Sequence, residues 1–426
     1  MRRGAIAPLL CAALVAPAAA QQVDVTLADA IQRALAAQPA MVQSYGSVRN
    51  AAATKRGAWA AFLPSVGVSG SYNNSTTIRV DNQTGQAQPP NSYTGTFSAS
   101  LNLFDGFNRI FNVRASAASS DAADAGLVNQ RYQTTLATQQ AFFTALANTE
   151  LVRVADANLD RAKEEVQIAV NRFQAGAATR SDTLTATVDL GNARLALLQA
   201  QSNLATAQGN LARQIGITGS ARPIPDSVLP PLPDTVGLRA GGLASAPIVT
   251  QAEAQARAAS ADVWTARSQY WPSLSVAYTN SRTGTESPQF PLISNGDKAY
   301  AWRFALTWTL FDGLQRERSQ VSASTVRDLA DAQAADARRQ VDAQLTQYLA
   351  ALFTAYAQIG ITAANVDAAT EARRVQQERY RLGAGTLLDL LTAEADLTQA
   401  QVLQVQARYN YLTAHAQVEA LIGRTL

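Results

Sequence analysis

The sequence predicts a mixed α/β membrane protein in which one unit of strands and long helices occurs twice. Three observations support this prediction. The motif Leu103–Gly106 returns at Leu310–Gly313, paired segments of alternating apolar and polar residues precede it each time, and 69 residues without proline follow it each time. Alternation with period two is typical of strands that have one apolar face. A helix of about 69 residues would extend about 100 Å, which no ordinary globular core requires.

Residues 1–20 are predicted to be a secretory signal peptide. Arg2 and Arg3 provide the positive start, residues 5–16 provide a short apolar core, and Ala18–Ala20 provides a small-residue cleavage site. Acylation of Cys11 is the alternative, but the residue before it is Leu10 rather than a small residue. The mature chain is therefore expected to begin at Gln21 and to leave the cytoplasm.

Charge and composition exclude several classes of protein. Charged residues make up 16% of the chain, and 35 basic residues against 32 acidic ones leave a formal charge of +3. A nucleic-acid-binding protein would carry a stronger basic excess, so no nucleic-acid partner is expected. Cys11 belongs to the signal peptide and His415 is the sole histidine, which leaves no disulfide and no ordinary metal site. No long apolar run is expected beyond the N-terminus, and hence no membrane-spanning helix.

The two halves of the chain align at an offset of 207 to 208 residues. "RFQAGAATRSDTLTA", which starts at Arg172, and "RYRLGAGTLLDLLTA", which starts at Arg379, share eight of fifteen residues. We therefore predict a first repeat at 21–219, a proline-rich linker at 220–240 and a second repeat at 241–426. Solenoid repeats have periods of about 20–50 residues, so each of these longer repeats is expected to be a full supersecondary unit.

Each repeat contains a predicted pair of strands, at about 65–104 and about 273–311. One face of the last strand is entirely apolar: Tyr300, Trp302, Phe304, Leu306, Trp308 and Leu310. The opposite faces are rich in Ser, Thr and Asn. This pattern favours a membrane barrel with its apolar face toward lipid over a sandwich, which would need a covering layer. Four strands cannot close a barrel, and open edges are not tolerated in lipid, so an oligomer of two, three or four chains is expected.

Each strand pair is followed by a predicted helical hairpin, at about 107–216 and about 314–423. Gly176 and Gly383 end the long helices, and return helices of about 35 residues follow. The return helices carry apolar residues at heptad spacing on two faces. Two apolar seams on one helix indicate two neighbouring helices, as in a barrel of coiled coils.

The order and spacing of these features resemble the TolC family of outer-membrane efflux and secretion ducts. The resemblance covers residues 26 to 423 and rests on the signal peptide, the two "LFDG" motifs, the strand pairs near "FLPS" and "YWPS", and the glycine-broken hairpins. It implies a homotrimer whose twelve strands form one barrel in outer-membrane lipid, continuous with a long periplasmic α-helical barrel. It also implies that the hairpin tips meet a periplasmic adaptor (membrane fusion) protein of an inner-membrane pump.

The same resemblance implies a gate at the periplasmic end. Asp389 matches the first acidic residue of the family's entrance, whereas Thr392 stands at the second acidic position, so one ring of three carboxylates is expected. Such a ring would favour cations, and its members would raise one another's pKa. Tyr380 matches a tyrosine that links neighbouring hairpins, and Asp182 is a candidate acceptor for its hydroxyl. The alternative is that Asp389 and Asp182 only stabilise the first turn of a helix.

Six residues are candidates for adaptor contact through the same resemblance: Arg172, Gly176, Thr179, Arg379, Gly383 and Thr386. The alternative is structural, because glycines suit positive-φ turns and threonines cap helices. Both roles can hold together. The "FDG" motifs are expected to be structural, at a sharp strand-to-helix turn.

The predicted function is the outer-membrane exit duct of a tripartite efflux or type I secretion system, which conducts substrates passively from a partner pump to the exterior. Neither an enzymatic reaction nor a cofactor is expected. The alternative is a non-conducting structural coiled-coil protein of the cell envelope, which would explain the helices but not the strands. The sequence leaves open whether the substrates are drugs, metals or proteins.

Overall fold

A succession of one helix, two strands, a very long helix and a shorter helix occurs twice in the computed structural model. The structure describes residues 22–75, 90–225, 229–234, 238, 246–284 and 297–426. The helices are α1 (Leu27–Ala37), α2 (Pro39–Ala60), α3 (Asn108–Gln174), α4 (Arg180–Gln214), α5 (Pro247–Arg267), α6 (Gln315–Leu382) and α7 (Leu387–Ile422). The strands are β1 (Val23–Val25), β2 (Ser65–Asn74), β3 (Asn91–Asp105), β4 (Ala221–Pro223), β5 (Ser273–Gly284) and β6 (Asp297–Thr307).

Some predictions fall where the structure gives no description. The predicted signal peptide, residues 1–20, lies outside the described residues, and so do parts of the predicted linker at 220–240. The same holds for most of the residues that connect the two strands of each predicted pair.

Four strands form one antiparallel sheet in the order β2–β3–β5–β6. Ser65 pairs with Ser100 and Ser273 pairs with Thr307, and these pairs mark the end of the sheet at which every helix joins it. The strand predicted to reach Leu310 ends at Thr307 instead. Because Thr307 already pairs with the first residue of β5, the residues after it have no strand to bond with in this chain.

The apolar face of the sheet is exposed to solvent in the single chain. On β6, Trp302 is 65% exposed and Leu306 is 72% exposed. Phe304 lies between them on the same face of the strand, and Tyr300 precedes Trp302 on that face. Aromatic rings lie at both ends of this face: Tyr72 contacts Tyr93 far from the helices, and Phe107 contacts Trp271 near them. A large exposed apolar face of this kind needs lipid or a partner to cover it.

The "FDG" turns connect strand to helix by the same geometry in both halves. Asp312 Oδ2 accepts hydrogen bonds from Arg316 N at 3.0 Å and Arg316 Nε at 2.9 Å. Asp105 accepts the equivalent bonds from Arg109 at 3.1 and 2.9 Å. Gly106 must lack a side chain, because a Cβ there would lie 2.5 Å from the Ser268 carbonyl oxygen. The expected structural role of these motifs therefore has a specific basis in helix capping and ion pairing.

The substitution Asp312→Ala is expected to lower the free energy of unfolding by about 1–2 kcal/mol, because the N-terminus of α6 loses its carboxylate acceptor. The midpoint of thermal unfolding in detergent measures this loss. Asp328→Ala is the matched control, since Asp328 only forms an exposed ion pair with Arg327, and it should cost less than about 0.5 kcal/mol. Equal losses in the two variants would contradict the capping role.

The helices lie side by side in the order α4, α3, α7, α6, with α2 and α5 packed along the long helices near the sheet. Two apolar clusters form the core partway along this layer. One joins Phe142 of α3 and Leu211 of α4 with Val25 of β1, and the other joins Leu352 of α6 with Tyr411 of α7. The small parallel pair β1–β4 fastens the start of the described chain to the linker region. Within the single chain, α4 and α6 are therefore the outer helices of the layer.

The expectation that no long apolar run follows the N-terminus is wrong for one helix. Among the described residues, α6 contains an 18-residue stretch that is long and apolar enough to cross a membrane by composition. No residue between Asp342 and Asp367 is charged. One face of this region, including Leu349 and Leu352, packs against α7, so composition alone does not make it a membrane span. Its other face is exposed and includes Ile361.

Candidate functional site

The two hairpin tips share one backbone design. Each long helix ends with a glycine in the left-handed conformation, Gly176 at φ 75° and Gly383 at φ 80°. The next amide then reaches back five residues: Ala177 N donates to Arg172 O and Ala384 N donates to Arg379 O, each at 2.8 Å. This is the Schellman motif, which glycine permits because it has no Cβ to clash. The structural role considered for Gly176 and Gly383, that of a positive-φ turn residue, is therefore observed.

The two predicted contact arginines hold their own tips. Arg172 Nη2 donates to Ala177 O at 3.0 Å, and Arg379 Nη2 donates to Ala384 O at 3.4 Å. Arg172 also donates to the Tyr380 carbonyl of the other hairpin, and its guanidinium lies 4.3 Å from the centre of the Tyr380 ring. Arg172 therefore joins the first hairpin to the second, whereas Arg379 remains on the surface.

Thr179 and Thr386 begin the return helices as capping boxes. Thr386 Oγ1 accepts from Asp389 N at 3.2 Å, and Asp389 Oδ2 accepts from Thr386 N at 3.1 Å and from the threonine hydroxyl at 2.8 Å. Thr179 and Asp182 exchange the equivalent backbone bonds at 3.2 and 2.9 Å. Both aspartates thus have the helix-stabilising role that was considered as the alternative to gating.

The capping bonds keep Asp389 ionised. Its side chain is exposed, and the hydrogen bonds from the Thr386 hydroxyl and amide lower the pKa of its carboxyl below the usual value. A ring of three carboxylates is predicted to raise the pKa of each member. In such an assembly, the capping hydrogen bonds would therefore act against this increase. Thr392, at the second acidic position of the family, is exposed and donates its hydroxyl to Leu388 O at 2.9 Å. It contributes no charge.

Tyr380 lies inside the chain rather than at its surface. It is 2% exposed and packs with Ala169, Ala186 and Leu390, which come from α3, α4 and α7. The predicted hydrogen bond from its hydroxyl to Asp182 is not formed: the Tyr380 hydroxyl is buried without a hydrogen-bond partner within the described residues. Burial raises the pKa of this hydroxyl. Within one chain the tyrosine therefore acts by packing under Arg172.

A second connection between the hairpins was not predicted from the sequence. Glu394 of α7 binds Arg161 of α3, with Nε 2.7 Å from Oε2, and binds Arg373 of α6 through its other oxygen. Arg161 also donates to Thr398 at 3.2 Å. Glu165, one turn along α3, is 1% exposed beside them. We call Arg161, Glu165, Arg373 and Glu394 the buried ion cluster.

One glutamate of the buried ion cluster, Glu165, has a strongly raised pKa. Burial and the neighbouring Glu394 carboxylate raise the pKa of Glu165 to about 8, so at neutral pH Glu165 is mostly protonated. Asp189 of α4 faces the same cluster, and burial together with Glu394 raises its pKa as well. Two arginines are therefore balanced mainly by Glu394, with Asp189 nearby.

The buried ion cluster was not predicted because its glutamates are not part of the internal repeat. One repeat away from Glu165 the residue is Ala372, and one repeat away from Glu394 it is Thr187. One signal in the sequence could have located the cluster. Glu165 and Glu394 are charged, but the equivalent residues of the other repeat are uncharged. Within the residues that the structure describes, no group of three metal-ligating side chains is arranged to hold an ion.

Comparison with known proteins agrees with this architecture. The model of the family described as outer membrane efflux protein matches residues 30–217 and 242–424. Protein CyaE of Bordetella pertussis is 27% identical over 395 residues, which cover 89% of this chain and 80% of CyaE. Outer membrane efflux protein BepC of Brucella suis is 25% identical over 346 residues, which cover 78% of this chain and 72% of BepC.

The fold is also that of a solved outer-membrane protein. VceC of Vibrio cholerae superposes with a TM-score of 0.79 at 21% identity, over 94% of this chain and 96% of VceC. The predicted outer-membrane location and the predicted role as an efflux or secretion duct are confirmed by these similarities as a whole. Because the family model spans most of the chain, this protein belongs to the outer membrane efflux protein family, and its predicted resemblance to TolC-like channels is confirmed.

Proposed function

We propose that three copies of this chain assemble into a passive duct that exports substrates across the outer membrane. The observation that supports this most directly is the sheet β2–β3–β5–β6, which is open at both edges and exposes one largely apolar face. Unpaired strand edges cannot face lipid, so the sheet is complete only when neighbouring copies pair with it. Such a duct catalyses no reaction, and its energy comes from a partner pump.

The strand directions allow closure. Each neighbouring pair in the sheet is antiparallel, so β2 and β6, the two edge strands, run in opposite directions. Joining β6 of one copy to β2 of the next would therefore continue an all-antiparallel ladder. Three copies would form a barrel of twelve strands, with the Ser- and Thr-rich face toward a wet lumen.

The helical layer also has two free edges that suit head-to-tail assembly. On α4, apolar residues that one chain leaves exposed are Leu184, Val188, Leu195 and Leu198. On α6, exposed apolar residues that lie a whole number of heptads apart are Val326, Ile361, Val375 and Leu382. Packing α4 of one copy against α6 of the next would cover both rows, and a heterologous contact that closes on itself forms a ring.

The hairpin tips are proposed as the periplasmic entrance and docking surface. Asp389 lies at the tip of the second hairpin, exposed and charged, where three copies would form a ring of carboxylates. Asp182, Tyr380 and Thr392 complete the proposed gate, of which Tyr380 acts from the interior. Six tips per trimer present the proposed adaptor contacts Arg172, Gly176, Thr179, Arg379, Gly383 and Thr386, through which an inner-membrane pump would be joined to the duct.

Neutralising Asp389 should reduce cation preference. In planar-bilayer recordings of the purified full-length protein, Asp389→Ala and Asp389→Asn should both move the reversal potential in a salt gradient toward zero, because the ring of negative charge is removed. The Asn variant retains an acceptor for the Thr386 amide, so it separates the loss of charge from the loss of the cap.

Asp328→Asn, an exposed carboxylate on α6 far from the hairpin tips, is the matched control and should leave selectivity unchanged. Unaltered selectivity in both Asp389 variants would count against the gate. An absence of any conductance in the unmodified protein would instead support the non-conducting structural alternative.

A further inference from the structure

Two basic side chains lie on the apolar face of the sheet, at the end farthest from the helices. Arg282 of β5 stands directly opposite Lys298 of β6 in the strand ladder. Tyr300 and Trp302 follow Lys298 on the same face, since residues two apart along a strand point to the same side. Basic residues at this place are unexpected if the face only contacts hydrocarbon.

Nothing in the described part of the chain neutralises this pair. Directly opposed like charges destabilise a sheet. Neither Arg282 nor Lys298 has an ion pair or a side-chain hydrogen bond with another described residue. Asp297 precedes Lys298 but points to the opposite face of β6, as alternation requires. Among the residues that the structure describes, the pair therefore has no counter-ion.

The depth of the pair along the barrel matches a lipid headgroup region. From Leu274 to Arg282 the strand advances about 27 Å, which is about 21 Å along the axis of a barrel whose strands tilt by about 40°. The apolar band of outer-membrane barrels is about 25 Å tall. All helices leave from the opposite end of the sheet, and family membership places those helices in the periplasm. Arg282 and Lys298 thus reach the outer leaflet, at the upper edge of the band.

We propose that Arg282 and Lys298 form a binding site for the phosphate groups of outer-leaflet glycolipids, one site on each copy of the chain. The proposal rests on the proposed barrel. A guanidinium and an ammonium side by side offer several N–H donors to phosphate oxygens, and charge-assisted bonds of this type are strong at a partly desolvated rim. Tyr300 and Trp302 lie just below, where aromatic side chains contact the headgroup boundary and the first part of the acyl chains. A phosphate carried by a lipid gains these contacts, which a free phosphate ion does not.

Native mass spectrometry of the full-length trimer in detergent tests the site. The probe is a diphosphorylated glucosamine lipid of the lipid A type. The double variant R282Q/K298Q is expected to bind this lipid roughly tenfold more weakly than the unmodified protein, because the charge-assisted bonds to phosphate are lost. The same lipid without phosphates should bind the unmodified protein as weakly as the intact lipid binds the variant.

Arg303→Gln is the matched control, because Arg303 lies on the same strand but on the opposite face. It should leave lipid binding unchanged. The proposal would be overturned if the double variant bound the lipid as tightly as the unmodified protein does. It would also be overturned if the unmodified protein bound the phosphate-free lipid, or inorganic phosphate, as tightly as the phosphorylated lipid. Conductance of the double variant should match that of the unmodified protein, so that failure of the lipid site is distinguished from failure of the proposed duct.

Discussion

Replacing Glu394 by Gln should loosen the junction between the two hairpins and lower the free energy of unfolding by about 3 kcal/mol. The side chains of Arg161 and Arg373 are 14% and 18% exposed, and Glu394 is their main counter-ion. Breaking a buried ion pair by removing one partner costs about 3–5 kcal/mol, because the remaining charge stays buried. We expect the lower end of this range, since loss of Glu394 also allows Glu165 to ionise and replace part of the lost charge.

Amide hydrogen exchange of the detergent-solubilised protein measures this effect locally. Peptides around Arg161 and Arg373 should exchange faster in Glu394→Gln, while the apolar cluster of Phe142, Leu211 and Val25 should be little changed. Asp396→Asn, an exposed carboxylate on the same helix, is the matched control and should have no effect.

A double-mutant cycle tests the shared role of the two glutamates. The variant E165Q/E394Q removes both carboxylates, and its destabilisation should exceed the sum of the two single effects. Simple additivity would show that Glu165 does not compensate for Glu394. Unchanged exchange in Glu394→Gln alone would show that the buried ion cluster does not hold the hairpins together.

The second large effect is a pH dependence that Glu165→Gln should abolish. The pKa of Glu165 is raised from 4.5 to about 8 in the folded chain. A raised folded pKa means that the protonated carboxyl contributes stability fully below pH 4.5, and that this contribution is lost as the pH rises through about 8. Within this window the unfolding free energy should fall by about 1.4 kcal/mol per pH unit from this group alone.

The groups that face Glu165 explain why a neutral replacement suffices. Glu394 on α7 and Asp189 on α4 oppose its ionisation, while Arg373 on α6 favours ionisation less strongly. Arg161 lies one turn away on α3 and already binds Glu394. Gln has nearly the shape of a protonated Glu, so the variant should match the unmodified protein at pH 5 and be more stable at pH 9.

Thermal unfolding between pH 5 and pH 9 measures the difference. Glu164→Gln is the control, because Glu164 precedes Glu165 but is exposed, and it should retain the pH dependence of the unmodified protein. If stability depended on pH equally steeply in the Glu165 and Glu164 variants, Glu165 would be ruled out as the titrating group.

Local patterns predicted much of the fold. Period-two alternation placed β2, β3, β5 and β6 close to their observed bounds, and the glycines that end the long helices were located from the sequence, because capping depends on neighbours within one turn. The end of β6 was misplaced, since strand length depends on the partner strand as well as on the pattern. The charge-free region of α6 was missed because its alanines and threonines do not form an obvious apolar run.

The candidate site was predicted less completely. Asp389, Thr386 and Gly383 were correctly located at a tip, and the capping alternative for Asp389 is what the single chain shows. The environment of Tyr380 was not predicted, because Arg172, which covers its ring, is 208 residues away in the chain. The bilayer recordings of the Asp389 variants test the proposed ring.

By itself, the sequence determined the kind and order of the elements, the twofold internal repetition and the tip turns, since these depend on residues close together in the chain. Only the tertiary structure decided which charges meet. Arg161 and Glu394 are 233 residues apart, and their contact exists because α3 and α7 lie side by side. Burial then sets the pKa of Glu165, and burial is a property of the packed helices rather than of any local pattern.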